Sequence, residues 1–384
     1  MKEEGVAAMQ EFFDKLATFS EVVIFGYSDK GKIINKLIKE HNPNVSIIYC
    51  DNDVDKQDNI QILSVDDAVL QYNDAVYIIP SSFYSIEKKR QLYDSGIREQ
   101  QIVESVPEKV YIMEGSQKRL KPLTEDTFRF EFSIVKHCNL NCRSCDHFSP
   151  LIDYEMMNAV QFQQDIQRLS VLFHQKAEQI LILGGEPLLN PDISFYMQES
   201  RKSFPNSKIY IVTNGILLNK MTTDFWRVCK DYQIGIRVTR YPIDIKYESM
   251  YGLAVKENID FGYFGTTKVE ERKMWHHPFD LNGNQDMKEN FLLCYSGNRC
   301  ITLENGRLYT CPIPLTSRAF NRYFDKDLPL SEDDYIDIYQ AKTSEEILKR
   351  LAKPIPFCRY CDVKNRTYDH EWEISKKDIK EWIL

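Results

Sequence analysis

The strongest constraint on this chain is a group of three cysteines that lie within eight residues of one another. Cys138, Cys142 and Cys145 form the pattern C-x3-C-x2-C, directly after a segment from Phe128 to Ile134 that alternates apolar and polar residues. The alternation predicts a half-buried strand, so the cysteines occupy the loop that follows it. Three thiolates this close can converge on one centre, and soft thiolates select zinc or iron–sulfur clusters.

Three protein thiolates do not complete an ordinary metal site. Structural zinc sites and most iron–sulfur clusters take a fourth protein ligand, and the loop from Cys138 to Cys145 contains no fourth cysteine. A cluster bound by three thiolates leaves one iron open to another ligand. For these residues taken alone, a partial zinc knuckle is the alternative.

Three further motifs follow the next three predicted strands. Gly184-Gly185-Glu186 comes after the first, and Thr213-Asn214 and Thr239-Arg240 end the second and third. Each motif alone is also typical of a strand-to-helix turn. Together they fall at the C-terminal ends of successive strands, where a parallel βα barrel places its active site.

With these motifs in this order, the chain resembles the radical S-adenosylmethionine (SAM) superfamily over residues 126–365. The resemblance implies that Cys138, Cys142 and Cys145 hold a [4Fe–4S] cluster and that SAM chelates the fourth iron. The SAM contacts that it implies are Gly184, Gly185, Glu186, Thr213, Asn214, Thr239, Arg240 and Ser144. A glutamate supplies a carboxylate for the ammonium group of SAM. Ser144 stands before the third cysteine, where the family often has an aromatic residue against adenine.

A second set of cysteines occupies the last quarter of the chain. Cys294 and Cys311 fit the pattern C-x11-G-x4-C, and Cys358 and Cys361 form C-x2-C. The set resembles the twitch extension, the shorter form of the SPASM extension of radical SAM enzymes, which binds an auxiliary [4Fe–4S] cluster. The resemblance implies these four residues as ligands and leaves Cys300 as the spare. A four-cysteine zinc ribbon is the alternative.

The first segment of the chain has the pattern of a small parallel sheet. Short apolar runs alternate with helical periodicity, beginning with Val22 to Phe25 and the helix predicted from Lys32 to Glu40, and this order predicts βαβ units. Between these elements, Gly26 to Lys32 matches neither the dinucleotide fingerprint nor the P-loop in full. Nucleotide or nucleotide-sugar binding and a scaffolding or docking role both remain open for this segment.

The expected fold class is therefore α/β with three domains. They are a Rossmann-like domain over residues 1–117, a radical SAM core with a partial (β/α)6 barrel over 126–290, and a cluster-binding extension over 291–384. The boundary between the first two falls in the polar stretch from Glu114 to Asp126, which has no apolar periodicity.

Composition excludes several classes of protein. With 49 Lys and Arg against 57 Asp and Glu, the net charge is −8, so nucleic acid is an unlikely partner. The longest apolar runs are far shorter than the ~20 residues of a membrane-spanning helix, and the acidic start Met1-Lys2-Glu3-Glu4 leads into no apolar secretory segment. We expect a cytoplasmic protein without a membrane partner.

The resemblance implies a reaction class. A reduced cluster passes one electron to SAM, methionine leaves, and the 5′-deoxyadenosyl radical takes a hydrogen atom from the substrate. We expect that substrate to be a sugar, cyclitol or nucleotide-linked small molecule undergoing dehydrogenation or rearrangement, with a flavodoxin or ferredoxin as reductant. Maturation of a peptide or protein side chain is the alternative, and a zinc-stabilised binding protein without enzymatic activity is the third. The sequence assigns no catalytic acid or base.

Overall fold

The computed structural model describes residues 12–52, 54, 60–80, 85–103, 124–264, 273–297 and 299–384. The chain divides into two compact units. One comprises Met1–Gly115 with Phe261–Lys268, and the other comprises Ser116–Asp260 with Val269–Leu384. Most of the predicted boundary from Glu114 to Asp126 lies outside the described residues. The three-domain division remains a prediction.

The first unit contains a five-stranded sheet with helices, and its strand at Ile62–Leu63 and helix at Val65–Gln71 were not among the predicted elements. Its elements are β1 Glu21–Phe25, α1 Asp29–His41, β2 Ser46–Cys50, β3 Ile62–Leu63, α2 Val65–Gln71, β4 Val76–Ile78, α3 Ser85–Asp94 and β5 Ile102–Val103, and residues 12–17 are also helical. The strand order is β3-β2-β1-β4-β5, and the paired strands are parallel. The predicted Rossmann-like arrangement of strands and helices is therefore present.

The turn between β1 and α1 explains why this segment contains glycines. A Cβ on Gly31 would lie 2.4 Å from the carbonyl oxygen of Gly26, and Gly26 has a φ of 137°. Ser28 caps α1 by accepting a hydrogen bond from the Gly31 amide. Asp51 accepts one from the Tyr27 amide at 2.8 Å. These contacts account for the turn without a ligand.

The second unit is built around a longer sheet that begins with alternating parallel strands and helices. Its elements up to residue 256 are β6 Arg129–Val135, α4 Ala159–Leu172, β7 Gln179–Gly184, α5 Ile193–Ser203, β8 Lys208–Thr213, α6 Thr223–Asp231, β9 Ile234–Thr239 and α7 Tyr247–Lys256. The parallel pairs are β6 with β7, β7 with β8, and β8 with β9. The next strand, β10 Phe261–Phe264, is grouped with the first unit.

The C-terminal part of the second unit extends the same sheet. Its elements are β11 Lys273–His276, α8 Met287–Leu293, β12 Thr302–Glu304, β13 Arg307–Tyr309, α9 Ile313–Phe324, β14 Tyr335–Asp337, α10 Ser344–Leu351 and β15 Thr367–Glu371. Strand β12 pairs parallel with β6 at Thr302 and Glu131, and β13 and β14 continue antiparallel. Strands β11 and β15 form a separate antiparallel pair. The sheet thus brings the residues after 300 next to the strand that leads into the cysteine loop.

The alternation in β6 sorts its two faces. Phe132 packs on Phe162 of α4 with ring centroids 4.5 Å apart, and Phe128 just before the strand stacks on Phe173 at 3.9 Å. Burying these rings stabilises the helix layer by about 1.5–3 kcal/mol each. The opposite face carries Glu131 and Ser133, which are also buried.

None of the described helices has the length and hydrophobicity that crossing a bilayer requires.

Candidate functional site

The cysteine loop follows β6 directly, as predicted. Two of its residues, Asn141 and Ser144, have left-handed backbone conformations with φ of 52° and 55°. The chain then enters a short 3-10 helix at Ser149–Leu151. These two left-handed residues let the loop turn twice between its first and third cysteines, a geometry that costs a non-glycine residue about 1–3 kcal/mol.

Hydrogen-bond donors point at the sulfurs of this loop. The Leu140 amide donates to Cys138 Sγ at 3.4 Å, and Asn214 Nδ2 lies 3.8 Å from the same sulfur. The indole Nε1 of Trp372 donates to Cys142 Sγ at 3.1 Å. Donors on sulfur favour the thiolate over the thiol, and thiolate is the form that binds metals.

The thiols of the loop share one buried environment. The pKa of Cys138 is raised to about 11, mainly by burial and in smaller part by the neighbouring Glu186 and Cys142. Burial also raises the pKa of Cys145, with added repulsion from Asp146, Cys142 and Cys138. The three residues therefore fit a metal cluster chemically, because a cluster would supply the positive charge that buried thiolates need. Among the described side chains, no three Cys, His, Asp or Glu stand at metal-coordination spacing.

The glycine pair at the end of β7 is required by the neighbouring strand. A Cβ on Gly184 would lie 2.2 Å from the carbonyl oxygen of Val135, and one on Gly185 would lie 2.1 Å from that of His137. The Gly185 amide donates to Val135 O at 2.7 Å. Any larger residue would push the end of β7 away from the start of the cysteine loop. The pair thus fixes the position of the loop through backbone contacts.

Glu186 connects the ends of β7 and β8. Its carboxylate is fully buried and accepts hydrogen bonds from Leu188 N at 3.1 Å, Thr213 Oγ1 at 2.6 Å and Asn214 N at 2.9 Å. Burial raises the pKa of Glu186 to about 7, and the three donors oppose that rise. Asn214 also donates from Nδ2 to Asn139 Oδ1 at 2.8 Å. Polar groups of three successive strand ends are therefore joined at the cysteine loop.

The remaining predicted SAM contacts lie at the same end of the strands. Thr239 ends β9 and Arg240 follows it, and both are half-buried. Ser144 is buried within the cysteine loop. The ring of Tyr241, one residue beyond Arg240, lies 6.0 Å from the ring of Trp372.

The two histidines beside the cysteines make contacts within the chain. The His137 ring accepts from the Glu155 amide at 3.2 Å and stacks on Tyr154 at 4.9 Å, as a loop polar group would. Burial lowers the pKa of His147. His147 lines a cavity of about 10 Å³ together with Lys136, Gly185 and Arg318, which is room for about one water molecule.

Sequence reasoning did not identify a partly buried network of charges next to this cavity. Lys136 and Glu304 are both buried and form an ion pair, and Arg318 contacts Glu304 at 3.0 Å and also pairs with Glu155. Pairing and hydrogen bonding of this kind make burial of charge tolerable. Lys136 directly follows a buried strand, but no pattern indicates its partner 168 residues away.

The second set of cysteines also gathers in one place. Burial raises the pKa of Cys311, and Cys294, Cys361 and Cys358 add to the rise. Cys311, Cys358 and Cys361 pack against the apolar cluster that includes Phe148, Phe357 and Trp382. For Cys300, the spare cysteine, burial raises the pKa of the thiol, and Glu131 adds more to that rise than Cys294 does. Cys294, Cys358 and Cys361 are thus close enough to Cys311 to raise the pKa of its thiol, and the four cysteines remain proposed ligands.

Polar groups surround the second set as well. Asn290 Nδ2 donates to the carbonyl oxygen of Cys358 at 2.8 Å and to that of Cys361. Arg366 Nη2 lies 3.7 Å from Cys294 Sγ. A guanidinium beside sulfur offsets negative charge on thiolates, so these residues fit either an iron–sulfur cluster or zinc. Neither Asn290 nor Arg366 carries a sequence signal.

Glu131 supports a prediction about pH. Burial raises its pKa from 4.5 to about 8, and Asp146 adds to the rise. The folded protein therefore keeps this proton over a range in which the unfolded chain has lost it, so its stabilising effect is complete below about pH 4.5 and disappears as pH rises to about 8. Relative to wild type, E131Q should gain about 3 kcal/mol in free energy of unfolding between pH 5 and pH 8.

Thermal melts of wild type and E131Q across this pH range would measure the gain. E332Q is the matched control, because Glu332 is exposed, and its melting temperature should follow wild type at every pH. If the E131Q profile stays parallel to that of wild type, Glu131 does not titrate as its burial implies.

Comparison with known proteins agrees with the geometry. The family model of the radical SAM superfamily matches residues 132–249. A GTP 3′,8-cyclase of Helicobacter pylori is 27% identical over 92 residues, which are 24% of this chain and 29% of that protein. Molybdenum cofactor biosynthesis protein 1 of Dictyostelium discoideum is 31% identical over 124 residues, 32% of this chain and 19% of that protein. The chain thus spans less than a third of the length of these relatives.

A solved structure of BtrN in complex with AdoMet and 2-DOIA aligns with 67% of this chain and 98% of that chain, at 15% identity and a TM-score of 0.39. The family match begins inside β6, includes the cysteine loop and the ends of β7, β8 and β9, and stops in α7. Residues 132–249 are therefore similar to the radical SAM domain, and the members of that superfamily are enzymes.

Proposed function

We propose that this chain is a radical SAM enzyme that cleaves SAM reductively and removes a hydrogen atom from a small-molecule substrate. One observation carries the proposal. The polar groups of Glu186, Thr213 and Asn214 form a continuous hydrogen-bonded set that reaches Cys138 Sγ. This set joins the three-cysteine loop to the ends of the next two parallel strands. A cluster on the loop and a ligand at the strand ends would therefore have neighbouring binding sites.

In this proposal, Cys138, Cys142 and Cys145 hold a [4Fe–4S] cluster with one iron open to SAM. When bound, that cluster supplies one electron to SAM, which yields methionine and the 5′-deoxyadenosyl radical that abstracts hydrogen. The residues of the chain bind and orient SAM and the substrate and exclude water from the site. Burial of Cys142, Ser144 and Glu186 supports that role.

We assign SAM to the residues at the strand ends. Gly184 and Gly185 hold the β7 end against the cysteine loop, and Glu186 presents a carboxylate whose proton is easily lost beside a cation, because its pKa is only about 7. Thr213 and Asn214 keep that carboxylate in place. Thr239, Arg240 and Ser144 remain proposed contacts, and the acid or base that handles protons is not assigned.

We also propose that Cys294, Cys311, Cys358 and Cys361 bind an auxiliary [4Fe–4S] cluster. Cys294, Cys358 and Cys361 raise the pKa of the Cys311 thiol, and the Arg366 guanidinium lies beside Cys294 Sγ. Both observations support a centre of negative charge there. Such a cluster would accept an electron in a net two-electron oxidation or anchor the substrate. A flavodoxin or ferredoxin is the proposed reductant.

For the substrate, we propose a sugar, cyclitol or nucleotide-linked small molecule. The parallel five-stranded sheet of the first unit supports this choice, since ligands of such sheets bind at the carboxyl ends of the strands. The names of the GTP 3′,8-cyclase relatives also point to nucleotide chemistry. Transfer of deuterium from labelled candidates into 5′-deoxyadenosine would identify the substrate, and a candidate that transfers none is excluded.

Anaerobic reconstitution tests the proposal as a whole. We expect about eight irons per chain, the content of two [4Fe–4S] clusters, and production of 5′-deoxyadenosine when SAM and a strong reductant are added. Binding of zinc with no uptake of iron would contradict the proposal. About four irons with production of 5′-deoxyadenosine would retain the SAM-binding cluster and remove the auxiliary one.

A further inference from the structure

The segment after β15 lies along the cysteine loop. The Arg143 amide donates to Glu373 O and the Ser375 amide donates to Asn141 O, both at 2.8 Å, and between them Cys142 and Ile374 form an antiparallel bridge. The loop is thus paired, backbone to backbone, with a segment more than 220 residues later in the chain.

Side chains reinforce this pairing at both ends. Arg143 forms an ion pair with Glu373 at 3.1 Å. Trp382, which is almost fully buried, donates from Nε1 to the carbonyl oxygen of Cys145 at 2.9 Å. Because several independent contacts hold the segment in place, the Trp372 side chain has a fixed position relative to Cys142.

Trp372 uses that position to donate a hydrogen bond to sulfur. An indole N–H is a donor only, so the 3.1 Å contact from Nε1 to Cys142 Sγ places positive partial charge at the sulfur in every protonation state. By comparison, Asn214 lies farther from its sulfur, at 3.8 Å, and also donates to Asn139. Of these two donors, Trp372 is the better placed to act on a sulfur of this loop.

We propose that Trp372 is a positioning residue that raises the reduction potential of the cluster bound by Cys138, Cys142 and Cys145. This inference rests on the proposed function, because it requires that cluster. Reduction adds one negative charge to the cluster and its sulfurs, so a hydrogen bond to a ligating sulfur becomes stronger in the reduced state. Hydrogen bonds to sulfur are among the factors that set iron–sulfur potentials. The C-terminal segment would thereby make the first electron transfer easier.

Trp372→Phe tests the assignment, since it keeps an aromatic ring and removes the N–H. We expect the cluster to be about tenfold harder to reduce at a given potential, a shift of about 59 mV to more negative values for one electron. An anaerobic redox titration followed by electron paramagnetic resonance (EPR) would measure the shift. The signal that changes when SAM is added identifies the relevant cluster. Trp226→Phe is the matched control, because the Trp226 ring packs on Phe225 in α6. The reduction potential of the cluster in this variant should equal that of wild type.

A second measurement does not depend on the variant. In wild type labelled with ¹⁵N at the indole nitrogens, pulsed EPR of the reduced cluster should detect ¹⁵N coupling from Trp372. Absence of that coupling, or an unchanged potential in a Trp372→Phe protein that retains its iron, would overturn the assignment and leave the proposed function intact. If wild type forms no reducible cluster at all, the proposed function fails together with this inference.

Discussion

Cys142→Ala should abolish reductive cleavage of SAM. Two remaining thiolates in the loop cannot hold a [4Fe–4S] cluster as three do, so iron content should fall by about four per chain and 5′-deoxyadenosine should drop to background. The change should also remove the sulfur that accepts from Trp372. Iron analysis and chromatography of the reaction products, after identical anaerobic reconstitution, measure both effects.

Cys229→Ala is the matched control for this prediction. Cys229 is a buried cysteine in α6, and burial raises the pKa of its thiol, so it acts as a small apolar side chain. Its replacement should leave iron content and SAM cleavage at wild-type levels. Continued production of 5′-deoxyadenosine by Cys142→Ala would remove Cys142 from the proposed ligand set.

Cys358→Ala should lose the second cluster and keep the first. Cys358 lies in a 3-10 helix, Pro356–Tyr360, and affects the pKa of Cys311. We expect about four irons fewer per chain, while the EPR signal that responds to SAM persists. Turnover of substrate should fall by a much larger factor than cleavage of SAM without substrate, if the auxiliary cluster takes part in substrate oxidation.

Cys300→Ala distinguishes the chosen four cysteines from the spare. Burial and the nearby Glu131 raise the pKa of Cys300, and its alanine variant should retain all iron. Equal loss of iron in both variants would place Cys300 among the ligands. An unchanged iron count in Cys358→Ala would refute the auxiliary site.

Local patterns predicted the strands of the second unit closely. The alternation around Phe130 and Phe132 predicted β6 to within a residue at either end, because the aromatic side chains occupy one face and Glu131 and Ser133 the other. The structure buries both faces. The polar motifs at the ends of β7 and β8 also lie together, as parallel strands require. The local pattern did not reveal why β7 ends in a glycine pair. The pair leaves room for the backbone of Val135 and His137.

Contacts between distant parts of the chain could not be predicted. Trp372 and Cys142 are 230 residues apart, as are Arg143 and Glu373, and no periodicity links them. Likewise, the pairing of β12 with β6 depends on sheet order. That pairing brings residues after 300 beside the strand that leads into the cysteine loop. Local propensity carries no information about which strand becomes the neighbour of another.

The most direct test of the central claim is EPR of the reconstituted, reduced protein with and without SAM. We predict a [4Fe–4S]⁺ signal that changes shape when SAM is added, because SAM binds the iron that the three cysteines leave open. The change should be absent in Cys142→Ala and present in Cys229→Ala. A reduced wild-type protein whose spectrum is the same with and without SAM, or that shows no iron–sulfur signal at all, would contradict the claim.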